Sequence, residues 1–260
     1  MKKTLQIALG LLAGVAFAGN IATANAQDAM PAPAPALTAN AAITTDYIFR
    51  GVTQSAKRPA VQGGLDYAVP DTGFAVGTWV SSIDFGDGSN LELDIYGNYN
   101  FNLGPVGASV GVYGYVYPYS GNAGPYDVFE IDAGLNHDFG VLAWSAKAFY
   151  GPSLPSGYLT PRNGYNPDSE YFVTTGVSIP VAPWLAISGN VGYEGYSGGK
   201  PAGVSDDSYA VWDIGATLTY DKYSLDLRYL DTSKHTFSSY TGPLFATGPF
   251  YVATFSFKFP

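Results

Sequence analysis

Paired acidic side chains are the feature of this sequence best able to do chemistry. Glu92 and Asp94, and again Glu130 and Asp132, are separated by one residue. In an extended chain both carboxylates of a pair lie on one face. Such groups can attract Ca²⁺ or line a cation-selective pore. Because no loop supplies carbonyl ligands beside them, calcium is only weakly indicated, and we predict no metal or other cofactor.

A hydrolytic centre is the other chemistry considered. The chain has two His and no Cys, which excludes a thiol nucleophile and a disulfide framework. Asp231, Ser233 and His235 lie close together near the C-terminus, whereas His137 lies far from them in the sequence. No motif fixes a nucleophile beside its base. We therefore predict that the protein is not an enzyme.

Composition narrows the fold class. The 260 residues contain 12 Lys plus Arg against 21 Asp plus Glu, for a formal charge of −9. This balance argues against nucleic-acid binding, which needs clustered basic residues. A hydrophobic fraction of 47% and an aromatic fraction of 15% argue against disorder. Abundant Gly, Tyr and Phe favour strands over helices, so the chain is predicted to be all-β.

The N-terminus predicts export. A basic start, an apolar run over 7–18 and Ala-Asn-Ala at 24–26 have the order of a secretory signal peptide, assigned to 1–26. The Pro/Ala-rich segment 27–40 is predicted to be a periplasmic linker, and 41–260 to be a transmembrane β-barrel.

The body of the chain alternates apolar and polar residues with period two, as in 91–102. A soluble sandwich and a membrane barrel both produce this pattern, but soluble strands are usually about 5–6 residues long and tilted membrane strands about 9–11. We predict a closed antiparallel barrel, with twelve strands favoured and ten or fourteen as alternatives. The predicted strands are 41–51, 60–69, 73–84, 90–101, 105–117, 126–137, 141–151, 169–179, 184–194, 209–220, 222–231 and 249–259.

The predicted connections alternate in length. Every second one is short, as in the periplasmic turns of outer-membrane barrels, and the others are longer. We expect external loops 152–168 and 232–248 to restrict the mouth. In the last strand the aromatic residues Tyr251, Phe255, Phe257 and Phe259 share a face. This strand is therefore predicted to be recognised by the barrel assembly machinery, although Pro260 departs from a terminal Phe.

Aromatic residues near strand ends are predicted to form interfacial girdles. They are Tyr47, Tyr67, Trp79, Tyr99, Trp184, Tyr193, Tyr209, Trp212, Tyr220 and Tyr223.

Charged residues on the polar strand faces are predicted to line the lumen, because a charge on the lipid face at mid-membrane costs about 2–4 kcal/mol. They are Asp46, Arg50, Asp66, Glu92, Asp94, Glu130, Asp132, Lys147, Glu170, Glu194, Asp213, Asp226 and Arg228. Two interpretations stay open: the acids select cations, or they pair with bases. Barrel closure is expected to bring Arg50 and Arg228 near each other, where they could bridge acids such as Asp46 and Asp226. Small inward residues (Gly64, Gly176, Ser178, Ser188, Gly192, Gly215, Thr217) are expected to leave room for water.

Segments 44–54 (TTDYIFRGVTQ), 59–68 (PAVQGGLDYA) and 73–85 (GFAVGTWVSSIDF), followed by ELDIYGNYNF at 92–101, resemble the TorF-type family of bacterial outer-membrane proteins, also called the Gcw_chp group. The resemblance implies an outer-membrane barrel presumed to form a channel, and it carries over no catalytic or ligand residues.

Together these patterns predict a narrow porin-like channel in the bacterial outer membrane, passing ions or small hydrophilic solutes with a preference for cations. The alternative is a non-conducting barrel that serves anchoring, adhesion or envelope stability through its external loops. The predicted partners are outer-membrane lipid, the assembly machinery and the permeating solute, with no nucleic acid. The sequence leaves the solute and the oligomeric state open.

Overall fold

The computed structural model describes residues 36–118, 127–152, 169–197, 208–234 and 247–259. In these ranges twelve antiparallel strands form one closed barrel. The barrel strands are β1 (Leu37–Thr44), β4 (Ala60–Ala68), β5 (Phe74–Ser82), β6 (Leu91–Leu103), β7 (Val106–Val116), β8 (Val128–Asp138), β9 (Ala143–Pro152), β10 (Ser169–Ala182), β11 (Leu185–Ser197), β12 (Ser208–Tyr220), β13 (Tyr223–Thr232) and β14 (Phe250–Phe259). Two short strands, β2 (Ile48–Phe49) and β3 (Val52–Thr53), form a separate hairpin. No helix in the described part of the chain is long and apolar enough to span a membrane.

The barrel closes through its first strand. β1 pairs with β4 along one edge, from Leu37 opposite Tyr67 to Thr44 opposite Ala60, and with β14 along the other. Every other barrel strand pairs with its neighbours along the chain. Closure satisfies the edge N–H and C=O groups, which is the requirement for crossing hydrocarbon with strands. The predicted twelve-strand barrel is confirmed.

Side chains alternate between the two faces of the wall. Val61, Ile95 and Ile214 are 57–63% exposed on the outside, whereas Glu92 and Asp94 on β6 are buried inside. Polar side chains inside and an apolar outer surface are the arrangement of a membrane barrel. Lipid rather than water is therefore the solvent of the outer face.

The connections at the two ends differ in length. At one end they are 69–73, 104–105, 139–142, 183–184 and 221–222, and at the other 45–59, 83–90, 117–127, 153–168, 198–207 and 233–249. We assign the short end to the periplasm and the long end to the external side. The predicted mouth loops 152–168 and 232–248 fall mostly outside the described residues.

Two predictions about the first strand are wrong. The predicted strand 41–51 starts earlier, at Leu37, and ends at Thr44. Residues 37–40 of the predicted linker therefore belong to the barrel, while residues 1–35, including the predicted signal peptide, lie outside the described residues.

The girdle prediction is correct for seven of its aromatic residues and wrong for three. Tyr67, Tyr99, Trp184, Tyr193, Trp212, Tyr220 and Tyr223 are exposed on the outside. Tyr47 and Tyr209 are buried inside the barrel, and Trp79 packs against Tyr47 there, with ring centroids 5.3 Å apart. These three rings face the lumen. The hydroxyls of Tyr47 and Tyr209 find hydrogen-bond acceptors there, and Trp79 packs edge-on against Tyr47.

Candidate functional site

The connection between β1 and β4 folds into the barrel instead of standing above it. Residues 45–55, here called the inner hairpin, contain β2 and β3, in which Ile48 pairs with Thr53 and Phe49 with Val52. Arg50 and Gly51 form the tip with φ of 47° and 81°. Positive φ at both central residues is the requirement of a two-residue type I′ turn. At Gly51 a Cβ would collide with Thr232 Cγ2 of the wall, so only glycine fits there.

The inner hairpin contacts inward-facing side chains around most of the barrel circumference. Tyr47 donates its hydroxyl hydrogen to Glu92 on β6 at 2.7 Å, and Phe49 lies against Tyr115 on β7 with ring centroids 5.8 Å apart. Ile48 is fully buried and packs with Leu230, Phe250 and Val252 of β13 and β14. The hairpin therefore crosses the lumen in the external half of the barrel.

Arg50 is the central contact of the hairpin. Its Nη2 donates to both carboxylate oxygens of Glu130 at 2.7 and 2.8 Å, and its Nη1 donates to Glu194 at 3.2 and 3.4 Å. Tyr115 donates its hydroxyl hydrogen to Glu130 at 2.8 Å. Arg50 is 4% exposed and both glutamates are less so. The guanidinium thus joins β8 to β11 across the barrel.

Aromatic rings surround the same guanidinium. Its Cζ lies 4.6 Å from the ring centroid of Phe172, 4.8 Å from that of Phe49 and 5.1 Å from that of Phe149. Cation–π contacts of this kind contribute about 0.5–2 kcal/mol each, more when they are desolvated. The rings also exclude water, so removing one partner of the ion pair leaves a buried charge uncompensated.

Asp94 is a buried lumenal acid without an ion-pair partner among the described contacts. It is 5% exposed, and its Oδ1 is buried without a hydrogen-bond partner. Two residues earlier, Glu92 is satisfied by Tyr47. A buried carboxylate oxygen that no donor satisfies attracts any cation that reaches it. Among the described residues, however, no group of three or more His, Cys, Asp or Glu side chains is arranged to hold a metal ion.

Asp46 organises the base of the inner hairpin. Its Oδ1 accepts hydrogen bonds from the hydroxyls of Thr53 at 2.6 Å and Ser55 at 2.9 Å. Burial raises the pKa of Asp46, and these two hydroxyls partly offset that rise. Arg50 does not bridge Asp46, because the turn at Arg50 carries the guanidinium deeper into the barrel, to Glu130 and Glu194.

A second polar cluster lies nearer the middle of the wall. Arg228 on β13 contacts Asp213 on β12 through Nη1, and donates to Asp226 at 3.0 Å and to Ser188 on β11 at 2.9 Å. Asn190 donates to both oxygens of Asp213 at 3.0 and 3.1 Å. The predicted Arg228–Asp226 pair is confirmed, and Asp213 extends it to a network across three strands.

The remaining predicted lumenal residues also lie inside. Lys147 is 2.9 Å from Asp132 and lies over the rings of Tyr113 and Phe149. Asp66 accepts a hydrogen bond from the hydroxyl of Tyr96 at 2.6 Å. At Gly151 on β9 a Cβ would lie 2.7 Å from Cγ of Glu170, which places that glutamate on the inner face as well. The acids thus share one lumen, but they do not form a single site.

The small inward residues do not leave the expected room for water. A Cβ at Gly192 would lie 2.6 Å from Phe172, one at Gly215 2.9 Å from Arg228, and one at Gly64 2.9 Å from Asn40. Beside Gly176 the same space is taken by Asn190. These glycines make space for large neighbouring side chains, because twelve strands enclose a narrow lumen that must accommodate both the wall side chains and the hairpin.

The described residues of the hydrolytic set considered above have other hydrogen-bond partners. Asp231 accepts the hydroxyl hydrogen of Tyr229 at 2.7 Å, and Ser233 Oγ accepts from the backbone N–H of Ala210 at 2.9 Å. His235 lies outside the described residues. His137 is at the periplasmic end, with Nδ1 2.7 Å from the carbonyl oxygen of Pro105.

Sequence reasoning missed the rings around Arg50. Phe149 lies two residues after the inward-facing Lys147, and Phe172 two residues after Glu170, so the period-two pattern already placed both on the inner face. What it could not show was their common partner, because Arg50 reaches them through the folded-in connection.

Comparison with known proteins fits this architecture. Residues 28–257 match the model of a family described as a bacterial protein of unknown function, Gcw_chp. The chain belongs to this family. The predicted Gcw_chp group is thereby confirmed, while the TorF-type designation stays a prediction. A search of curated proteins returns no match.

Solved structures resemble this barrel to different degrees. One, from a study of in-meso crystallization of membrane proteins, aligns with a TM-score of 0.51 at 13% identity, covering 86% of this chain and 83% of that chain. The translocator domain of the autotransporter NalP from Neisseria meningitidis gives 0.43 at 11% identity, covering 87% and 89%. The outer-membrane protein opdK from Pseudomonas aeruginosa gives 0.44 at 12%, covering 88% and 68%. The closed barrel with its apolar outer face is an outer-membrane barrel.

Proposed function

We propose that the protein is a narrow outer-membrane channel for passive diffusion of ions or small hydrophilic solutes, with a preference for cations. The supporting observation is the charge of the lumen, where the described acids outnumber the bases. The acids are Asp46, Asp66, Glu92, Asp94, Glu130, Asp132, Glu170, Glu194, Asp213 and Asp226, against Arg50, Lys147, Arg228 and Lys258. A lumen lined by excess negative charge raises the local concentration of cations and repels anions.

Ion pairing modifies this charge without cancelling it. Arg50, Lys147 and Arg228 are each engaged by at least one carboxylate, whereas Asp94 has no basic partner among the described contacts. We expect selectivity to depend on acids that form no described ion pair, and Glu92 and Asp94 are two such acids on β6. No catalytic role is proposed, since the described polar groups form ion pairs and wall contacts rather than a nucleophile–base pair.

The test is a planar-bilayer recording of the mature chain refolded in detergent, with a salt gradient across the membrane. We expect discrete conductance steps with a cation-selective reversal potential. The Glu92→Gln/Asp94→Asn variant should move the reversal potential toward zero by at least a third of its wild-type value. Asp71→Asn, in a periplasmic turn, removes one acid outside the lumen and should leave the potential unchanged. Equal potentials in the lumenal and turn variants would reject the charge argument.

The second candidate is a non-conducting barrel for anchoring or envelope stability. The inner hairpin favours it, because the chain itself fills the external half of the lumen. The two candidates predict different recordings: a barrel that inserts but stays silent under all voltages and in all hairpin variants would support the second.

A further inference from the structure

The inner hairpin has the properties of a movable barrier. We propose that residues 45–55 are the gate of the channel, seated across the lumen here and leaving through the external mouth when the channel opens, with Arg50 as the latch. This inference rests on the proposed channel function and names the element that regulates it.

The barrel wall is complete without the hairpin. β1 pairs along its whole length with β4 and along most of it with β14, so no strand of the wall depends on β2 or β3. The hairpin strands pair with each other, and their other described ladder contact is one isolated bridge from Val52 to Thr247, in the segment that leads into β14. Outward movement therefore leaves the hydrogen bonds between wall strands intact.

Both ends of the connection permit that movement. Thr44 and Ala60, which flank it, are register neighbours at the external ends of β1 and β4. The hairpin is thus tethered at one point of the rim and can swing out without threading through the barrel. The returning segment is strained, since Ala56 and Lys57 adopt φ of 54° and 60° and non-glycine residues rarely occupy this region.

When the inner hairpin leaves the lumen, water can replace the polar contacts that it makes there. Tyr209 donates to the carbonyl oxygen of Arg50 at 3.0 Å, and Asp84 N–H donates to the carbonyl of Gln54 at 2.8 Å. In the seated state Arg50 and its glutamates are desolvated, which offsets much of their mutual attraction. Release rehydrates all three charges. Opening the intact latch therefore costs less free energy than its short contacts suggest, because all three charges regain water together.

The gate can be tested by a single engineered disulfide, because the native chain has no Cys. Bridged residues of an antiparallel pair have Cα atoms about 4.5–5.5 Å apart, within the range that a disulfide spans. Val52→Cys/Thr247→Cys ties the hairpin to a residue three positions before β14, and so anchors it beside the wall. We expect oxidised protein to lose at least 90% of its open-channel events in bilayer recordings and to regain them when dithiothreitol is added.

A wall-to-wall disulfide is the matched control. Thr44→Cys/Thr254→Cys joins β1 to β14 at residues whose hydroxyl oxygens are 2.9 Å apart, and it does not tether the hairpin. Mass spectrometry must show complete oxidation of both variants. Equal channel activity before and after oxidation of the hairpin–wall variant would overturn the gate. Equal loss of activity in the control would also overturn the gate, because the loss would then come from cross-linking the wall and not from fixing the hairpin.

A second variant separates failure of the gate from failure of the channel. Gly51→Ala places a Cβ against Thr232 Cγ2, so the hairpin cannot seat fully and open probability should rise at least tenfold. Conductance that is present but unchanged by Gly51→Ala contradicts the gate alone. Silence of wild type, reduced double variant and Gly51→Ala together contradicts the channel function.

Discussion

Replacing Arg50 by Asn removes the guanidinium that acts as the latch and keeps the turn at the tip of the hairpin. Asn tolerates the positive φ of this position better than most residues, and the tip then becomes Asn-Gly, the dipeptide that type I′ turns prefer. The hairpin itself should therefore form at least as well. What is lost is the guanidinium, with its hydrogen bonds to Glu130 and Glu194.

The size of the effect follows from burial. Glu130 and Glu194 are each 1% exposed, and removing one partner of a buried ion pair costs about 3–5 kcal/mol. This cost falls on the seated state, since release exposes the glutamates to water. At about 1.4 kcal/mol per factor of ten, the ratio of seated to released hairpin should fall by roughly two to three and a half orders of magnitude.

The assay is open probability in single-channel recordings at fixed voltage. Arg58→Asn is the matched control, because Arg58 belongs to the same connection and its ion pair with Asp84 is largely exposed. An exposed pair contributes about 0–1 kcal/mol, so this variant should change open probability severalfold at most. Adding Glu130→Gln and Glu194→Gln to Arg50→Asn should restore much of the closure. Identical open probabilities for the Arg50 and Arg58 variants, or no rescue by the glutamines, would refute the reasoning.

Two further outcomes concern the wall. Arg228→Ala should lower the free energy of unfolding in lipid vesicles by about 3–5 kcal/mol, because Asp213 stays buried without its cation; Lys222→Ala, in an exposed turn, should change the urea midpoint little. Phe259→Ala should reduce the amount of folded barrel in cells severalfold while lowering the stability of refolded protein by less than about 2 kcal/mol, if the assembly machinery reads the last strand. Phe74→Ala, another outward Phe near the periplasmic end, should leave the folded yield unchanged, and equal yields for both variants would contradict that role.

Much of the barrel follows from local pattern. In 91–102 the apolar residues point out and the acids point in, and the structure keeps this alternation from Leu91 to Leu103. A strand has a side-chain period of two, so a shift of one residue would turn every acid toward lipid. Strand register and strand faces are thus set by the sequence itself. The same argument assigned Glu92, Asp94, Glu130 and Asp132 to the lumen.

The first connection shows where local pattern fails. The chain was predicted to remain in the wall as far as residue 51. The signal that argued otherwise is Gly51 inside an apparent strand, a residue that often marks a bulge or turn. Arg50 at positive φ gives no warning, because it adopts that conformation only when the turn is supported by its surroundings.

Sequence alone determined the compartment, the all-β class, the number of wall strands and the sign of the lumenal charge, since each depends on composition or on a local period. Tertiary structure decided which of these charged residues contact one another. Arg50 meets Glu130 and Glu194 across 80 and 144 residues of chain, and Ile48 meets Leu230 and Phe250 only after the barrel has closed. No local preference encodes such contacts. They exist because a closed wall brings distant strands around one narrow lumen, where a folded-in hairpin can touch them together.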